Sequence, residues 1–331
     1  MKTKLICLTL AFALLCFVQT ADAFNKAGRT AMQFLKIGTG ARQTGLGESG
    51  IAAVRDINAV FWNPAGISGV NSAEASFSFN KWFVDMNYLS GAVGVRWEGV
   101  GIFGVSWASL DYGTIQEALV KTGSTSSDTR TGNTFTGSDL MVGLSYSREF
   151  TDRLSIGLTV KYLREKLFIY TGDVFAFDVG TYYDTGFRGI RFGMSFQNFG
   201  NSVKFLDQGM QEEGYDLPLI FRIGVSMDIF APHEALIGTL DNHTLMMSFE
   251  AVNSNDYGER YNLGGEYTFS GIKGFDFVLR GGYRFNYDEG NLSLGAGLAT
   301  KLSGIGVRVD YSYVSYEFLE SPSRLTLTVL F

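Results

Sequence analysis

"LMVGLSYSREFTDRLSIGLTVKYL", residues 140–163, holds two alternating runs around a tight break. Leu140, Val142, Leu144 and Tyr146 fall on one face of the first run and Met141, Gly143 and Ser145 on the other. In the second run Leu154, Ile156, Leu158, Val160 and Tyr162 oppose Ser155, Gly157, Thr159 and Lys161. A period of two is the mark of a strand with two unlike faces. Only "TDR", Thr151–Arg153, and its immediate flanks separate the runs, which predicts a hairpin.

From Ser72 onward the same period continues, and it gives fourteen strands: near 72–82, 86–97, 100–110, 138–149, 154–166, 172–184, 190–200, 218–229, 242–252, 259–270, 274–286, 290–301, 304–317 and 322–331. Short links such as "TGFRG", "SGIKG" and "LSGIG" alternate with long ones at 111–137 and 201–217; "FAPHEALIGTLD" at 230–241 is long although it falls on the short side. An even number of antiparallel strands with short turns at one end and long loops at the other describes a transmembrane β-barrel of the outer-membrane kind.

One face of the later strands carries no charge: Phe175, Phe177, Val179; Phe221, Ile223, Val225; Phe277, Leu279; Leu294, Leu298; Val307, Val309, Tyr311. The other carries Asp178, Arg222, Glu266, Arg280, Arg284, Arg308 and Asp310. A soluble sandwich would show the same split with the charges outward. Gly264, Gly282, Gly295 and Gly297 on the charged face suit a curved wall around a lumen better. Aromatic residues near strand ends, among them Trp82, Tyr88, Trp97, Tyr183, Tyr283 and Tyr313, suggest girdles at a lipid boundary. In "SRLTLTVLF", Leu325, Leu327, Val329 and Phe331 alternate with threonines, as expected of a closing strand with an aromatic end. Closure removes the free edge that lipid cannot hydrate.

Lys2, Lys4, the apolar run Leu5–Val18 and "ADA" at 21–23 predict a secretory signal peptide over 1–23, cut before Phe24 and taking both cysteines with it. No thiolate metal site or disulfide then remains. The 41 glycines and 15% aromatic residues fit many closely packed strands, and the formal net charge of -6 argues against nucleic acid as a partner.

Residues 24–71 do not alternate, and they are expected to form a hatch preceding a barrel at 72–331. "GLGESG" at 45–50 has the spacing of a dinucleotide-binding turn, but "GTGARQT" before it is too polar and glycine-rich for the buried strand such a turn requires. Gly45, Gly47 and Gly50 instead permit sharp turns or close contact with a wall. Asp56 is an N-cap for a short helix from Ile57 to about Trp62, which Pro64 stops at Asn63. "GTGARQTGLGESGIAAVRDINAVFWNPAGIS", residues 38–68, closely resembles the N-terminal signature of the PorV/PorQ proteins, themselves similar to the FadL channels. The resemblance implies a fourteen-stranded outer-membrane barrel with the N-terminal segment inside or beneath it. Asn63, Pro64, Ala65 and Gly66 match the "NPAG" of the hatch.

Chemistry is sparse. The mature chain holds only His233 and His243, too far apart for helical ligand spacing even with Glu234 beside the first. No nucleophile elbow or phosphate-binding loop is present, and no enzyme, metal or cofactor is expected. The hydrophilic loop Lys121–Gly137 reads as a solvated loop or a docking surface, and Lys204–Pro218 as a cap for the pore or a segment that enters a groove. The PorV/PorQ resemblance implies an accessory of type IX secretion embedded in outer-membrane lipid, in contact with secreted cargo proteins and other secretion components. The FadL resemblance implies a transporter of long-chain fatty acids or another hydrophobic small-molecule ligand. The hatch is either a plain plug or a gate that a ligand or cargo protein engages.

Overall fold

In the computed structural model, which describes residues 28–84, 86–118, 130–207, 210–211 and 214–331, the alternating runs become one antiparallel ladder. Its long strands are β1 Ala73–Lys81, β2 Asn87–Trp97, β3 Gly101–Ala118, β4 Arg130–Glu149, β5 Leu154–Leu167, β6 Tyr170–Asp184 and β7 Arg191–Gly200. They continue as β8 Ile220–Ala231, β9 His243–Ser254, β10 Tyr257–Ile272, β11 Phe275–Phe285, β12 Leu292–Leu302, β13 Ile305–Ser315 and β14 Ser323–Leu330. Each pairs with its sequence neighbour, and β14 pairs with β1 through Phe79 opposite Leu325, Phe77 opposite Leu327 and Ala75 opposite Val329. The Phe331 N–H donates to the Ala73 carbonyl at 2.8 Å. The fourteen strands therefore form a closed barrel, and the terminal strand closes it as the alternation of Leu325, Leu327 and Val329 predicts.

The placement of the two faces decides between barrel and sandwich. The uncharged face points outward, with Phe175 60% and Leu279 62% exposed, while Asp178, Glu250 and Asp310 inside are fully buried at 0%. A water-soluble sandwich would invert this. An apolar exterior around a charged interior matches a wall facing lipid.

Three details differ from the sequence reading. The hairpin β3–β4 extends well past 110 and begins before 138, with Ile115 opposite Phe135 and Gln116 opposite Thr134. Residues 111–118 and 130–137 thus continue the ladder; 119–129 lie outside the described residues, as do 1–27, which include the expected signal peptide with its cleavage site and both cysteines. Tyr88 points inward and hydrogen-bonds Thr39 at 3.2 Å, and Trp82 stacks on Arg324 inside the rim, so neither belongs to a girdle. Trp97, Tyr183, Tyr283 and Tyr313 do face outward. The link at 232–242 folds back along the end of β8, with Gly238 paired beside Phe230.

The lumen is filled by residues 28–71. Thr30 pairs beside Asp216 in the β7–β8 loop, and Val70 packs near β2 and β3, so the chain traverses the lumen from the long-loop end to the short-turn end. Its elements are a 3₁₀ turn at Gln33–Lys36, helix α1 at Ala41–Gly45, and 3₁₀ turns at Ile57–Phe61 and Pro64–Gly69.

Candidate functional site: the hatch and its lumen

"GLGESG" lies at the exit of a helix rather than at its entrance. Gly45 ends α1, Gly47 takes φ +64°, and Glu48 takes φ 61°. This is the reverse of the strand-turn-helix order of a dinucleotide turn. The glycines serve contact with the wall. A Cβ on Gly45 would meet Gly295 Cα at 3.2 Å, and one on Gly47 would meet Tyr283 N at 2.9 Å. The wall answers with its own glycines: a side chain at Gly282 would strike the Gly47 backbone, and one at Gly264 would strike the Leu46 carbonyl. Gly264, Gly282 and Gly295 are therefore the seats of the hatch backbone, while Gly297 makes room for the Asp310 and Arg280 side chains of the wall. Gly50 lies against Gln43 and Val54 inside the hatch itself.

Asp56 caps the Ile57–Phe61 turn by accepting the Asn58 N–H at 2.9 Å. The turn is 3₁₀, one residue shorter than expected and not α-helical. Pro64 does more than end it: the residue occupies the first turn of the next 3₁₀ segment, where its missing N–H has no consequence. Asn63 caps that segment by accepting from Ala65 N–H at 3.1 Å, and its amide donates to the carbonyls of Ile51 at 3.2 Å and Thr181 at 2.9 Å. Only an amide supplies one acceptor and two donors there. Ala65 is fully buried, and a Cβ on Gly66 would meet Ala59 Cβ at 2.7 Å. Each position of "NPAG" thus has a packing reason. Asn63→Ala removes a cap and leaves two carbonyls without these donors, so a loss of about 2 to 4 kcal/mol is expected. Thermal unfolding of the detergent-solubilised barrel measures it; an unchanged midpoint would contradict the anchoring role.

Charges lock the same segment. Arg42 donates to both oxygens of Glu266 at 2.7 and 2.9 Å; Glu266 also accepts from Arg280 at 2.6 Å, and Arg280 donates to Asp310 at 2.8 Å. Arg308 joins Asp310 at 2.9 Å to Asp56 at 2.6 Å, and Arg42 to Asp56 at 3.5 Å completes a closed ring. Three guanidinium groups alternate with three carboxylates, two of the six from the hatch and four from β10, β11 and β13. Burial alone would raise the Asp56 carboxyl, but Arg308 and Arg42 outweigh it and hold that group below its ordinary value. Elsewhere Glu48 pairs with Arg284 at 2.8 Å, and Glu250 accepts from Arg222 at 2.7 Å and from the Ile51 N–H at 3.0 Å. Arg42 and Glu48 escaped the sequence reading, which placed Glu266, Arg280, Arg284, Arg308 and Asp310 together on the charged face but did not pair them with the hatch.

At the long-loop end a cavity of about 460 Å³ remains between the hatch and the loops. Phe34, Trp82, Phe83 and Leu110 line it together with Tyr257, Arg260, Tyr287 and Tyr316. Arg260 lies over the Tyr257 ring at 3.8 Å and the Tyr287 ring at 4.4 Å. Toward the middle, a second void of about 30 Å³ beside Trp62 and Lys161 has room for a water molecule or so. The loop that includes Lys204–Pro218 folds over the start of the hatch: Asp216 O accepts the Ala31 N–H at 3.0 Å, and Leu217 and Val203 join the buried cluster around Phe34. The histidines are separate. His233 meets Asp228 at 3.0 Å, His243 meets Tyr267 at 2.6 Å, and Glu234 pairs with Arg188 at 3.7 Å. No group of three or more candidate metal ligands occurs among the described residues.

A closed fourteen-stranded barrel, apolar outside, charged within and plugged by its own N-terminal segment, defines an outer-membrane β-barrel of the FadL-like architecture. The sequence profile of the family described as Type IX secretion system protein PorV matches residues 20–248, and the chain belongs to that family. No curated protein sequence gives a significant match. Among solved structures, the Pseudomonas putida toluene transporter TodX superposes with a TM-score of 0.61 at 10% identity, covering 88% of this chain and 97% of that one. The Ralstonia pickettii toluene transporter TbuX gives 0.56 at 14% identity, over 88% and 97%. A Pseudomonas aeruginosa FadL homologue gives 0.55 at 11% identity, over the same shares of 88% and 97%. At these identities the likeness is one of fold.

Proposed function

We propose that this chain is exported, sheds residues 1–23, and resides in the outer membrane as a non-enzymatic accessory of type IX secretion that receives or tethers cargo proteins. The family match over residues 20–248 carries the reading. The seated hatch supports it, because a lumen crossed by the Arg42–Asp56 ring and closely fitted glycines leaves little path for a solute. The long-loop end, where the β3–β4 hairpin stands beyond the rest of the ladder, is the surface this reading assigns to cargo and other secretion components.

A second reading, transport of a hydrophobic small molecule, is favoured by one observation: the aromatic cavity of about 460 Å³ beside the hatch, within the size range of small-ligand sites. Deleting the gene and comparing the surface proteome and hydrocarbon uptake separates the two. Loss of a set of surface proteins with unimpaired uptake is expected; an unchanged surface proteome would overturn the secretion role.

Membrane residence has its own test. Leu279 is among the most exposed apolar side chains of the wall, and Leu279→Arg at mid-bilayer should destabilise insertion by roughly 2 to 4 kcal/mol. The readout is the heat-sensitive gel shift of folded barrel in the membrane fraction, and wild-type assembly would rule out a lipid-facing position.

A further inference from the structure

Four arginines are buried among the described residues: Arg222, Arg280, Arg284 and Arg324. The first three each hold a carboxylate at 2.8 Å or less. Arg324, 2% exposed on β14, has no ion pair among the described residues. Its Nε donates to the Gly38 carbonyl at 3.0 Å, its guanidinium lies 5.4 Å from the Trp82 ring, and its Nη1 is buried with no partner. Directly across the ladder is Asn80, also 2% exposed, whose amide nitrogen and oxygen are both unpartnered. The nearby acid is Glu48, whose carboxylate lies beside Gly38 and is bound to Arg284 at 2.8 Å. Arg324 is therefore left without a carboxylate of its own.

A buried cation without a counter-charge is costly, and a buried amide without partners adds to the cost. We infer that Arg324 and Asn80 form an internal site for a small monovalent anion of halide size. One free guanidinium nitrogen and one free amide nitrogen suit a single-atom acceptor better than a carboxylate or phosphate, which call for the two-pronged edge of the guanidinium. Gly38 and Trp82, which touch Arg324, also line the cavity of about 460 Å³, so only these two contacts separate the site from the long-loop end. The occupant completes the charge balance around Glu48 and Arg284 and ties β14 to the hatch at Gly38. The inference is independent of the secretion reading, since it concerns the lumen and not what the loops engage.

Crystals of the mature protein soaked in sodium bromide, recorded at the bromine absorption edge, test it directly. An anomalous peak in contact with Arg324 Nη1 and Asn80 Nδ2 is expected. In solution, sodium chloride should raise the unfolding temperature saturably above that in sodium isethionate at equal ionic strength, since the larger anion does not fit. Arg324→Met should abolish this difference. Should Arg324→Met fail to assemble, Asn80→Ala should raise the half-saturating chloride concentration by roughly tenfold, as for one lost hydrogen bond to a charged group. No bromide peak, a water in its place, Asn80 Oδ1 accepting from Nη1 directly, or equal stabilisation by the two salts would overturn the site.

Discussion

Asp56→Ala is expected to cost the folded barrel about 3 to 5 kcal/mol, the range for removing one partner of a buried ion pair. The side chain does three things at once: it accepts from Arg308 at 2.6 Å, from Arg42 at 3.5 Å and from the Asn58 N–H at 2.9 Å. Without it the ring has three cations and two anions within the lumen. The same residue sets a pH dependence whose sign is fixed. Its carboxyl is held below the ordinary value when folded, so its contribution is fully present above the unfolded carboxylate pKa and is lost as pH falls through the folded one. The wild-type unfolding midpoint should therefore drop in acid, and the Asp56→Ala midpoint should drop less over the same window. Equal acid sensitivity in the two proteins would mean that Asp56 is not linked to stability.

Gly282→Val should be worse still, because the added carbons meet backbone and not a side chain that can turn aside. The clash is with Gly47 and with the Leu46 carbonyl carbon, inside a segment pinned by its own ion pairs. Overpacking typically costs about 1 to 3 kcal/mol where neighbours yield, and here the yielding element would be the hatch itself. Limited proteolysis of the purified barrel should then cut within residues 41–56, which wild type protects. Gly281→Val is the control: the adjacent position faces outward with open space around it and should keep wild-type protection. Equal cleavage of both variants, or of neither, would refute the seating of Gly47 on Gly282.

The barrel was legible because lipid on one side and lumen on the other impose an unbroken period of two, which needs no partner to be read. Leu140 to Tyr146 and Leu325 to Phe331 carry it plainly. The outer parts of β3 and β4 were missed where that contrast fades: Thr114 and Gln116 face Thr136 and Thr134, polar on polar, and the Ile115–Phe135 pair between them is too short an apolar mark to read as a stripe. The hatch was legible by exclusion and by its signature, but its local geometry was not. Asp56 is an N-cap in either helix type, and the wall contacts that hold the turn, Asn58 with Ser76 and Thr328, lie far off in sequence. The ion-pair ring unites residues 42 to 310 and has no one-dimensional trace beyond a face that happens to bear charge. Tyr88 and Trp82 show the converse error: their position near strand ends suggested lipid, while their side chains serve Thr39 and Arg324.

The course of residues 28–71 through the lumen also constrains the order of assembly. The strand that seals the wall, β14, follows the other thirteen, and its partner β1 comes directly after the hatch. A wall sealed first would have to admit a folded segment bearing Arg42, Glu48 and Asp56 through an opening already walled by their future partners. Wrapping the sheet around the segment avoids that passage, with each incoming strand from β2 to β13 gaining its inner contacts as it arrives. The hatch would then act as the mandrel on which the cylinder is wound, and the final β1–β14 zipper would record that the interior had been filled.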